Sequence, residues 1–383
     1  MLKPRLIGII ALVLFIFVSI NFYIGWNGWL YLSALLPLEN PLPYAFIVAI
    51  VSFSYIIGRL LQPVTPLRKI GRVFKLIGSY WFAVMEYAVL LLPPANLIYW
   101  LLTRLDIPSY TAVLSVGSVV VVIMLTILLR GSWNAWSPIV RTYSITIAKS
   151  AGPRKSLRIG MASDIHLGTI VGKRHLARLA DAMERMKPDL ILLPGDVIDD
   201  DIGPYIDDYM SEVMKRLKAP LGVYAVLGNH EYIGGHIARF IAEMDAVGIR
   251  VLLDESVKID DGFYVIGRKD LSAKRADPAG RQSVKELVAA LDASLPLIMM
   301  DHQPSDLEQA SLQGIDLSLS GHTHRGQMMP NHFFTRRLFE LDWGFLQKGQ
   351  LHAIVSSGFG TWGPPLRIGS RAEIIQLNVE FRP

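Results

Sequence analysis

Four long apolar runs near the start of the chain limit its fold more than any other feature of the sequence. They cover about residues 6–27, 43–62, 79–102 and 109–129. Each is close to the roughly 20 residues that an α-helix needs to cross a bilayer. The first run is too long for a signal peptide, and no small-residue cleavage site follows it. The sequence therefore predicts a transmembrane helical domain of about four spans over residues 1–135.

The basic residues predict the orientation of these spans. Lys3 and Arg5 precede the first run, five Lys or Arg lie at or between the ends of the second and third runs, and three follow the fourth. The loop after the first run has no Lys or Arg, and the loop after the third has only Arg104. We expect a multi-pass protein of the inner or plasma membrane, and loops rich in Lys and Arg stay on the cytoplasmic side of such a membrane. Its N terminus and everything after residue 130 are expected in the cytoplasm.

The third run is the weakest of the four because it contains Glu86 and the pair Pro93-Pro94. An acid inside a membrane often marks a functional pathway. The alternatives are an acid at the interface, in a span that begins later than residue 79, or one paired with a neighbouring helix. We favour these alternatives.

Charge and cysteine content exclude several classes of function. Residues 1–150 carry 11 Lys+Arg and 3 Asp+Glu, which leaves 27 of the 38 basic and 30 of the 33 acidic residues for the remainder. The remainder thus has a balance of −3 and no basic track, so nucleic acid is not an expected partner. The chain has no cysteine, so a metal in this protein is held by nitrogen and oxygen.

From about residue 141 the pattern changes to short apolar runs, some separated by helical stretches. The segment "TYSITIAK" alternates like a strand, and "KRHLARLADAMERMK" (173–187) and "SVKELVAALDAS" (283–294) have helical patterns. This alternation predicts an α/β domain over residues 141–383. The five further apolar runs are 157–163, 189–195, 222–228, 295–300 and 316–321.

Each of the five runs is followed by side chains of the types that bind metals. Because the carboxyl ends of strands in α/β sheets face the ligand crevice, we expect these side chains to meet there. Asp164 and His166 are two residues apart, as are His322 and His324, and i and i+2 point the same way in an extended chain. Gly195, Gly228 and Gly321 are expected to permit sharp turns. The candidate ligands are Asp164, His166, Asp196, Asn229, His302, His322 and His324.

Asp, Asn and His form a ligand set that suits Mn, Fe or Zn. Seven ligands are too many for one tetrahedral ion, so the sequence predicts two divalent ions that share a bridging carboxylate. A lone histidine is more often a core or surface residue than a ligand. We interpret four histidines in that way: His175, His236, His332 and His352.

At these residues the sequence resembles the calcineurin-like metallophosphoesterases. The family's five motifs stand in order as "SDIHLG", "PGDVID", "LGNHE", "DHQP" and "GHTHRG", and the resemblance covers roughly residues 141–383. The closing "SSGFGTWGPPLRIGSRAEIIQLNV" resembles the bacterial branch whose enzyme domain is attached to membrane helices. The resemblance implies a four-layer sandwich, with two mixed β-sheets flanked by helices, that hydrolyses phosphoester bonds. Arg325 departs from that branch, which usually has glycine at this position.

The resemblance also implies the role of each residue. Asp196 would bridge the ions, and His230 would face the phosphate as a catalytic group. Glu231 or Asp301 would orient His230 or a ligand imidazole. Two such ions activate water and draw charge from phosphoryl oxygens. One ion would be held by Asp164, His166, Asp196 and His324, and the other by Asp196, Asn229, His302 and His322.

The leading hypothesis is a membrane-anchored phosphohydrolase that cleaves phosphoester or pyrophosphate bonds of a lipid-linked substrate, with membrane lipids as partners. One alternative is a phosphatase or phosphodiesterase of soluble nucleotides or phosphoproteins, and another is a catalytically silent membrane scaffold or sensor. Segment 331–349 is either a membrane-facing substrate flap or an ordinary loop with core aromatics. Arg325 either grips substrate phosphate or pairs with an acid such as Asp301 or Asp306.

Overall fold

The structure, a computed structural model, describes residues 4–382. The chain divides into two compact units, Met1–Gly131 and Ser132–Pro383. The first unit consists of helices that are long and apolar enough to cross a membrane. Their large apolar side chains, such as Phe15 and Phe22, are mostly exposed, as expected for side chains that face lipid. The helices are α1 (Pro4–Leu35), α2 (Leu42–Leu61), α3 (Arg68–Arg104) and α4 (Ser109–Trp136), with a 3₁₀ turn at Thr65–Leu67 before α3.

Helix α3 begins 11 residues earlier than the run predicted at 79–102, and Pro93 and Pro94 lie inside it. Glu86 consequently lies near the middle of α3 and is half-buried, and its position at the interface or its pairing with a neighbouring helix stays a prediction. Small residues let α2 and α3 approach closely. A Cβ on Gly78 would lie 2.2 Å from the backbone nitrogen of Tyr55, a proximity typical of helix pairs in membranes.

The second unit contains two six-stranded mixed sheets. The first has the order β1-β12-β2-β3-β4-β5, in which only the β12–β2 pair is antiparallel. The second has the order β10-β11-β9-β8-β7-β6, with antiparallel pairs at both edges. The strands are β1 (Ile139–Ile147), β2 (Ser156–Met161), β3 (Leu190–Pro194), β4 (Val223–Val226), β5 (Ile249–Val251), β6 (Glu255–Ile259), β7 (Phe263–Gly267), β8 (Leu297–Met300), β9 (Leu317–Ser320), β10 (Gly344–Lys348), β11 (Leu351–Val355) and β12 (Glu373–Phe381).

The central strands are apolar on both faces because each sheet is covered on both sides. In β3, Leu190 and Leu192 pack between the two sheets, whereas Ile191 and Leu193 pack against helices. In β8, the residues at 298 and 300 face the other sheet, and those at 297 and 299 face the helices of the second sheet. This period of two produces a helix–sheet–sheet–helix sandwich. The predicted four-layer fold is confirmed.

Short helices connect most of the strands. Helix α11 starts as predicted, because Ser283 and Glu286 form a capping box, but it ends well before residue 294. Beyond that end, Asp292 accepts a hydrogen bond from the backbone of Ser294 and forms a turn before β8. The helices are α5 (Lys173–Met186), α6 (Gly203–Asp207), α7 (Ser211–Met214), α8 (Asn229–Gly234), α9 (Ile237–Asp245), α10 (Ala273–Ala276), α11 (Val284–Val288), α12 (Leu307–Leu312) and α13 (His332–Leu338), with a 3₁₀ turn at His324–Gly326.

Candidate metal centre

The seven predicted ligands lie just beyond the carboxyl ends of five strands. Asp164 and His166 follow β2, Asp196 follows β3, and Asn229 follows β4 as the first residue of α8. His302 follows β8, and the pair His322 and His324 follows β9. The structure brings all seven into one crevice between the two sheets.

The backbone at these positions is left-handed, which corrects the sequence argument from extended geometry. Asp164, His166 and Asp196 have φ values of 50°, 50° and 51°, and His322 and His324 have 69° and 48°. Residues two apart therefore converge through tight turns and not because an extended strand points them the same way. Non-glycine residues seldom adopt this conformation, and it concentrates at functional sites.

Of the three glycines expected at turns, only Gly195 has a positive φ, of 85°. Gly321 is required for space: a Cβ there would lie 2.1 Å from a carboxylate oxygen of Asp164. Gly228 similarly leaves room for Asp196. The turn argument is therefore wrong for these two positions.

The first ligand group consists of Asp164, His166 and His324, all buried. The Nε2 atoms of the two histidines are 3.0 Å apart, and Nε2 of His324 lies 3.4 Å from Oδ1 of Asp164. Burial lowers the pKa of His166 and holds the pKa of His324 well below its usual value. Neutral imidazoles with converging ring nitrogens are the form that binds metals.

The second ligand group consists of Asp196, His302 and His322, and Asn229 lies between the two histidines. Nε2 of His302 lies 3.1 Å from Oδ2 of Asp196 and 3.3 Å from Oδ1 of Asn229. The same Asn229 oxygen lies 2.8 Å from Nδ1 of His322. Burial, followed by the neighbouring His302, lowers the pKa of His322 to about 4.

The donor chemistry of the second group fits a cation. Nδ1 of His302 donates to the carbonyl oxygen of Pro194, 2.9 Å away, so a neutral His302 presents its Nε2 lone pair to the oxygens of Asp196 and Asn229. Several acceptors then converge on one point. Burial opposes charge on His302, but Asp196 overcomes this and raises the pKa of His302 well above its usual value. This point of the site therefore favours a positive charge.

Asp196 joins the two groups. Its Oδ2 lies 3.1 Å from His302 of the second group and 3.9 Å from Nε2 of His166 in the first. Burial opposes its ionisation, but the neighbouring histidines, His302 foremost, lower the pKa of Asp196 below its usual range. The backbone nitrogen of His230 also donates to Asp196. A carboxylate in this position is suited to bridge two ions.

His230 stands beside the first group, with its ring 4.7 Å from that of His166. Its Nδ1 lies 2.7 Å from a carboxylate oxygen of Asp200 and 3.4 Å from one of Asp199. Burial works against its charge, but Asp199 and Asp200 outweigh burial and raise the pKa of His230 to about 10. These two aspartates were missed from the sequence, although both stand in the run "VIDDD" directly after Asp196.

The expectation that Glu231 or Asp301 orients His230 or a ligand imidazole is wrong. Glu231 accepts hydrogen bonds from the backbone of Asp196, Ile198 and Gly228, and so holds together the loops after β3 and β4. Burial, with Asp196 nearby, raises the pKa of Glu231 to about 7.

Asp301 is buried against two arginines, Arg268 and Arg281. Burial raises the pKa of Asp301 to about 6 even though both arginines oppose the shift. Arg268 also forms an ion pair with Asp306. Both acids suggested as partners of Arg325 are therefore paired with other arginines.

Arg325 has a φ of 52°, a conformation that the glycine of the related branch adopts at no steric cost. Its guanidinium stacks on the indole of Trp343, with 3.9 Å between the guanidinium carbon and the ring centroid. The predicted pairing with Asp301 or Asp306 is therefore wrong. The role of Arg325 in substrate binding stays a prediction.

Arg367 was also missed from the sequence. Its side chain is fully buried, donates to the carbonyl oxygens of Gly358 and Gly360, and approaches Nδ1 of His324 at 3.4 Å. Burial lowers the pKa of Arg367 to about 10. The only signal in the sequence was its position within the closing segment that resembles the membrane-attached branch.

Comparisons with known proteins agree with this geometry. The family model for calcineurin-like phosphoesterases matches residues 157–326. An uncharacterized metallophosphoesterase of Aquifex aeolicus (strain VF5) is 31% identical over 245 residues, which are 63% of this chain and 92% of that protein. A Bos taurus "Transmembrane protein with metallophosphoesterase domain" is 29% identical over 262 residues, which are 65% of this chain and 59% of that protein. The match thus spans under two thirds of the bovine relative's length.

A solved structure, that of a 5'-nucleotidase precursor from Thermus thermophilus, has a TM-score of 0.37 and 14% sequence identity. The match covers 59% of this chain and 54% of that one, a similarity too low to inform on function.

The chain belongs to the calcineurin-like metallophosphoesterase family. By class it is a hydrolase of phosphoester bonds, and the family implies divalent metal ions, for which His and Asp clusters are present. Four candidate spans and the bovine transmembrane relative indicate membrane association. The enzyme class and the family predicted from the sequence are confirmed.

Proposed function

We propose that this protein is a membrane-anchored phosphohydrolase that uses two divalent ions to cleave a phosphoester or pyrophosphate bond in a lipid-linked substrate. The observation that carries the proposal is the position of Asp196, whose carboxylate touches His302 in one ligand group and approaches His166 in the other. The domains would extend over residues 1–135 and 141–383, with the catalytic domain in the cytoplasm as the positive-inside rule implies.

Each of the two ions would have its own set of ligands, with Asp196 in both sets. Asp164, His166, Asp196 and His324 would hold one ion, and Asp196, Asn229, His302 and His322 the other. Ions bound there would neutralise charge on the phosphoryl oxygens and activate water. Mn, Fe or Zn suits this nitrogen and oxygen set.

His230 would exchange a proton with the substrate. Asp200 binds its Nδ1, so Nε2 is the nitrogen left to face a leaving or non-bridging oxygen. The Asp200 carboxylate would fix the orientation of the ring and favour its protonated form, which suits a group that donates a proton to a leaving alkoxide.

Aromatic side chains beside the site favour a substrate with an apolar part. The ring of Trp362, which is 59% exposed, lies 6.4 Å from that of His230. The ring of Phe339 lies 5.9 Å from that of His322. A soluble nucleotide or phosphoprotein substrate remains the alternative, and a substrate screen distinguishes them.

The test uses purified full-length protein in detergent with Mn²⁺ and compares a lipid-linked pyrophosphate, an aryl phosphodiester and an aryl phosphomonoester. We expect kcat/KM to be highest for the lipid-linked substrate, and we expect Asp196→Ala but not the exposed-histidine control His236→Ala to lose activity. A preference for soluble nucleotides would overturn the lipid-linked part. Absence of metal-dependent hydrolysis of every substrate would favour the scaffold or sensor alternative.

A further inference from the structure

Helix α13 and the residues just before it form an exposed apolar and basic surface. We name it the rim patch and define it as Met329, Phe333, Phe334, Arg336, Arg337 and Leu338. Helix α13 has no buried residue. Phe333, Phe334 and Leu338 are 52%, 63% and 76% exposed. A contiguous group of exposed large apolar side chains, unlike a single one, indicates an interaction surface.

The charge of the rim patch is positive. Arg336 and Arg337 are exposed, and within residues 4–382 neither has an ion pair or a side-chain hydrogen bond. The nearest acids in the sequence are engaged elsewhere: Glu340 binds Lys348, and Asp342 accepts a hydrogen bond from Thr335. Both arginines are therefore available for an anionic partner.

The arrangement within the helix suits a lipid–water interface. Phe334 and Leu338 are one turn apart on one face, and Phe333 is one turn from Arg337. Long arginine side chains reach the headgroups while neighbouring apolar side chains enter the acyl boundary. Arginine side chains held near an anionic lipid surface are attracted to it.

The chain itself favours a bilayer over a soluble partner. The second unit begins at Ser132, within the fourth candidate span α4, so the catalytic unit is tethered to a membrane. Tethering raises the effective concentration of the lipid surface around the catalytic unit. A contact with lipid can therefore form even when its intrinsic affinity is weak.

We propose that the rim patch inserts into the anionic leaflet of the bilayer in which the chain is anchored. The patch follows directly on the turn that carries His322 and His324, so its insertion would hold the mouth of the metal centre at the level of lipid headgroups. That consequence rests on the proposed function, whereas the insertion itself does not.

The test exploits the absence of cysteine from the chain. Phe334→Cys in the full-length protein gives a single site for an environment-sensitive fluorophore, and Leu312→Cys, at an exposed leucine of α12, gives the matched control. Each labelled chain is placed, one per disc, in lipid nanodiscs that contain phosphatidylglycerol and lipids with a nitroxide on the acyl chain. We expect the label at position 334 to lose most of its fluorescence and the label at 312 to keep it.

Two further experiments test whether the charge of the rim patch is required and whether its partner is lipid or a second copy of the chain. Arg336→Gln with Arg337→Gln, or discs in which phosphatidylcholine replaces phosphatidylglycerol and the nitroxide lipid is kept, should restore fluorescence to the label at 334. Equal quenching at 334 and 312, or quenching at 334 that is insensitive to both charge arms, would overturn the proposal. Quenching at 334 only when two chains share a disc would also overturn it, in favour of self-association. Quenching without hydrolysis of lipid-linked substrates would support the insertion and refute the lipid-linked part of the proposed function.

Discussion

The guanidinium of Arg325 stacks on the indole of Trp343, with 3.9 Å between the guanidinium carbon and the ring centroid. Trp343 is itself fixed, because its Nε1 donates to the buried carboxylate of Glu373, 3.1 Å away. Arg141 lies over the same ring, at 4.9 Å from its centroid, and binds Glu373 as well. Trp343 is thus held in place and in turn positions the guanidinium of Arg325, the residue that directly follows His324.

We predict that Arg325→Gly reduces kcat/KM for a diphosphate or diester substrate more than for a small aryl monoester. A stacked guanidinium can hold a second phosphate or a diester oxygen through two hydrogen bonds. Arg325→Lys should lose part of the preference, since lysine keeps the charge but not the planar fork. An equal change for both substrates would assign Arg325 a structural role.

Asp196→Ala and Asn229→Ala are each expected to abolish metal-dependent hydrolysis. The first removes the carboxylate shared by the two ligand groups, and the second removes the oxygen that faces His302 and His322. Turnover and metal content by elemental analysis are the measurements, with His236→Ala as the control. Activity of both variants within about tenfold of wild type, a barrier change of about 1.4 kcal/mol, would contradict the two-ion assignment.

His230→Ala should lower turnover and leave the metal content unchanged. His230 is bonded to Asp200 and belongs to neither proposed ion's ligand set. The loss of a proton-transfer group typically costs about 10²–10⁴-fold in rate. A loss of one metal equivalent in this variant would show that His230 is a ligand.

Topology can be tested without a substrate. A reporter fused after Arg130 or at the C terminus is expected to behave as cytoplasmic, and one inserted near Asn40 as external, because the loop after the first run has no Lys or Arg. The opposite pattern would show that the positive-inside count is misleading or that α3 does not cross the membrane.

His175 should make the catalytic domain less stable in acid. Burial lowers the pKa of His175 to about 4, so between about pH 6.5 and pH 4 the unfolded chain binds a proton that the folded one does not. The contribution of neutral His175 to the free energy of unfolding is complete above about pH 6.5 and is smaller by about 2 kcal/mol at pH 5. His175→Gln should reduce the drop in melting temperature between pH 7.5 and pH 5, whereas His236→Gln should not. Equal drops in wild type and His175→Gln would refute this assignment.

The strands that carry the candidate ligands were predictable because each is a short apolar run followed at once by a polar residue. Six of the twelve strands were not predicted, among them Ile249–Val251 and Leu351–Val355. Three residues such as Ile249–Val251 are too few to display a period, and the polar His352 interrupts the short apolar run of Leu351–Val355. Tertiary pairing, and not local pattern, makes them strands.

The types of the candidate ligands and their order along the chain were determined by the sequence alone, since strand ends and their motifs are local features. The left-handed backbone of Asp164 and His322 was not, because its strain is tolerated only where surrounding hydrogen bonds and packing hold it. The sequence likewise did not determine which carboxylate binds His230. Glu231 is adjacent in the chain, but the start of α8 directs its carboxylate to backbone amides. The loop after β3 instead brings Asp200 to the imidazole. Spans and motifs are encoded in contiguous residues, whereas the side chain that faces a given atom depends on how separate strands pack.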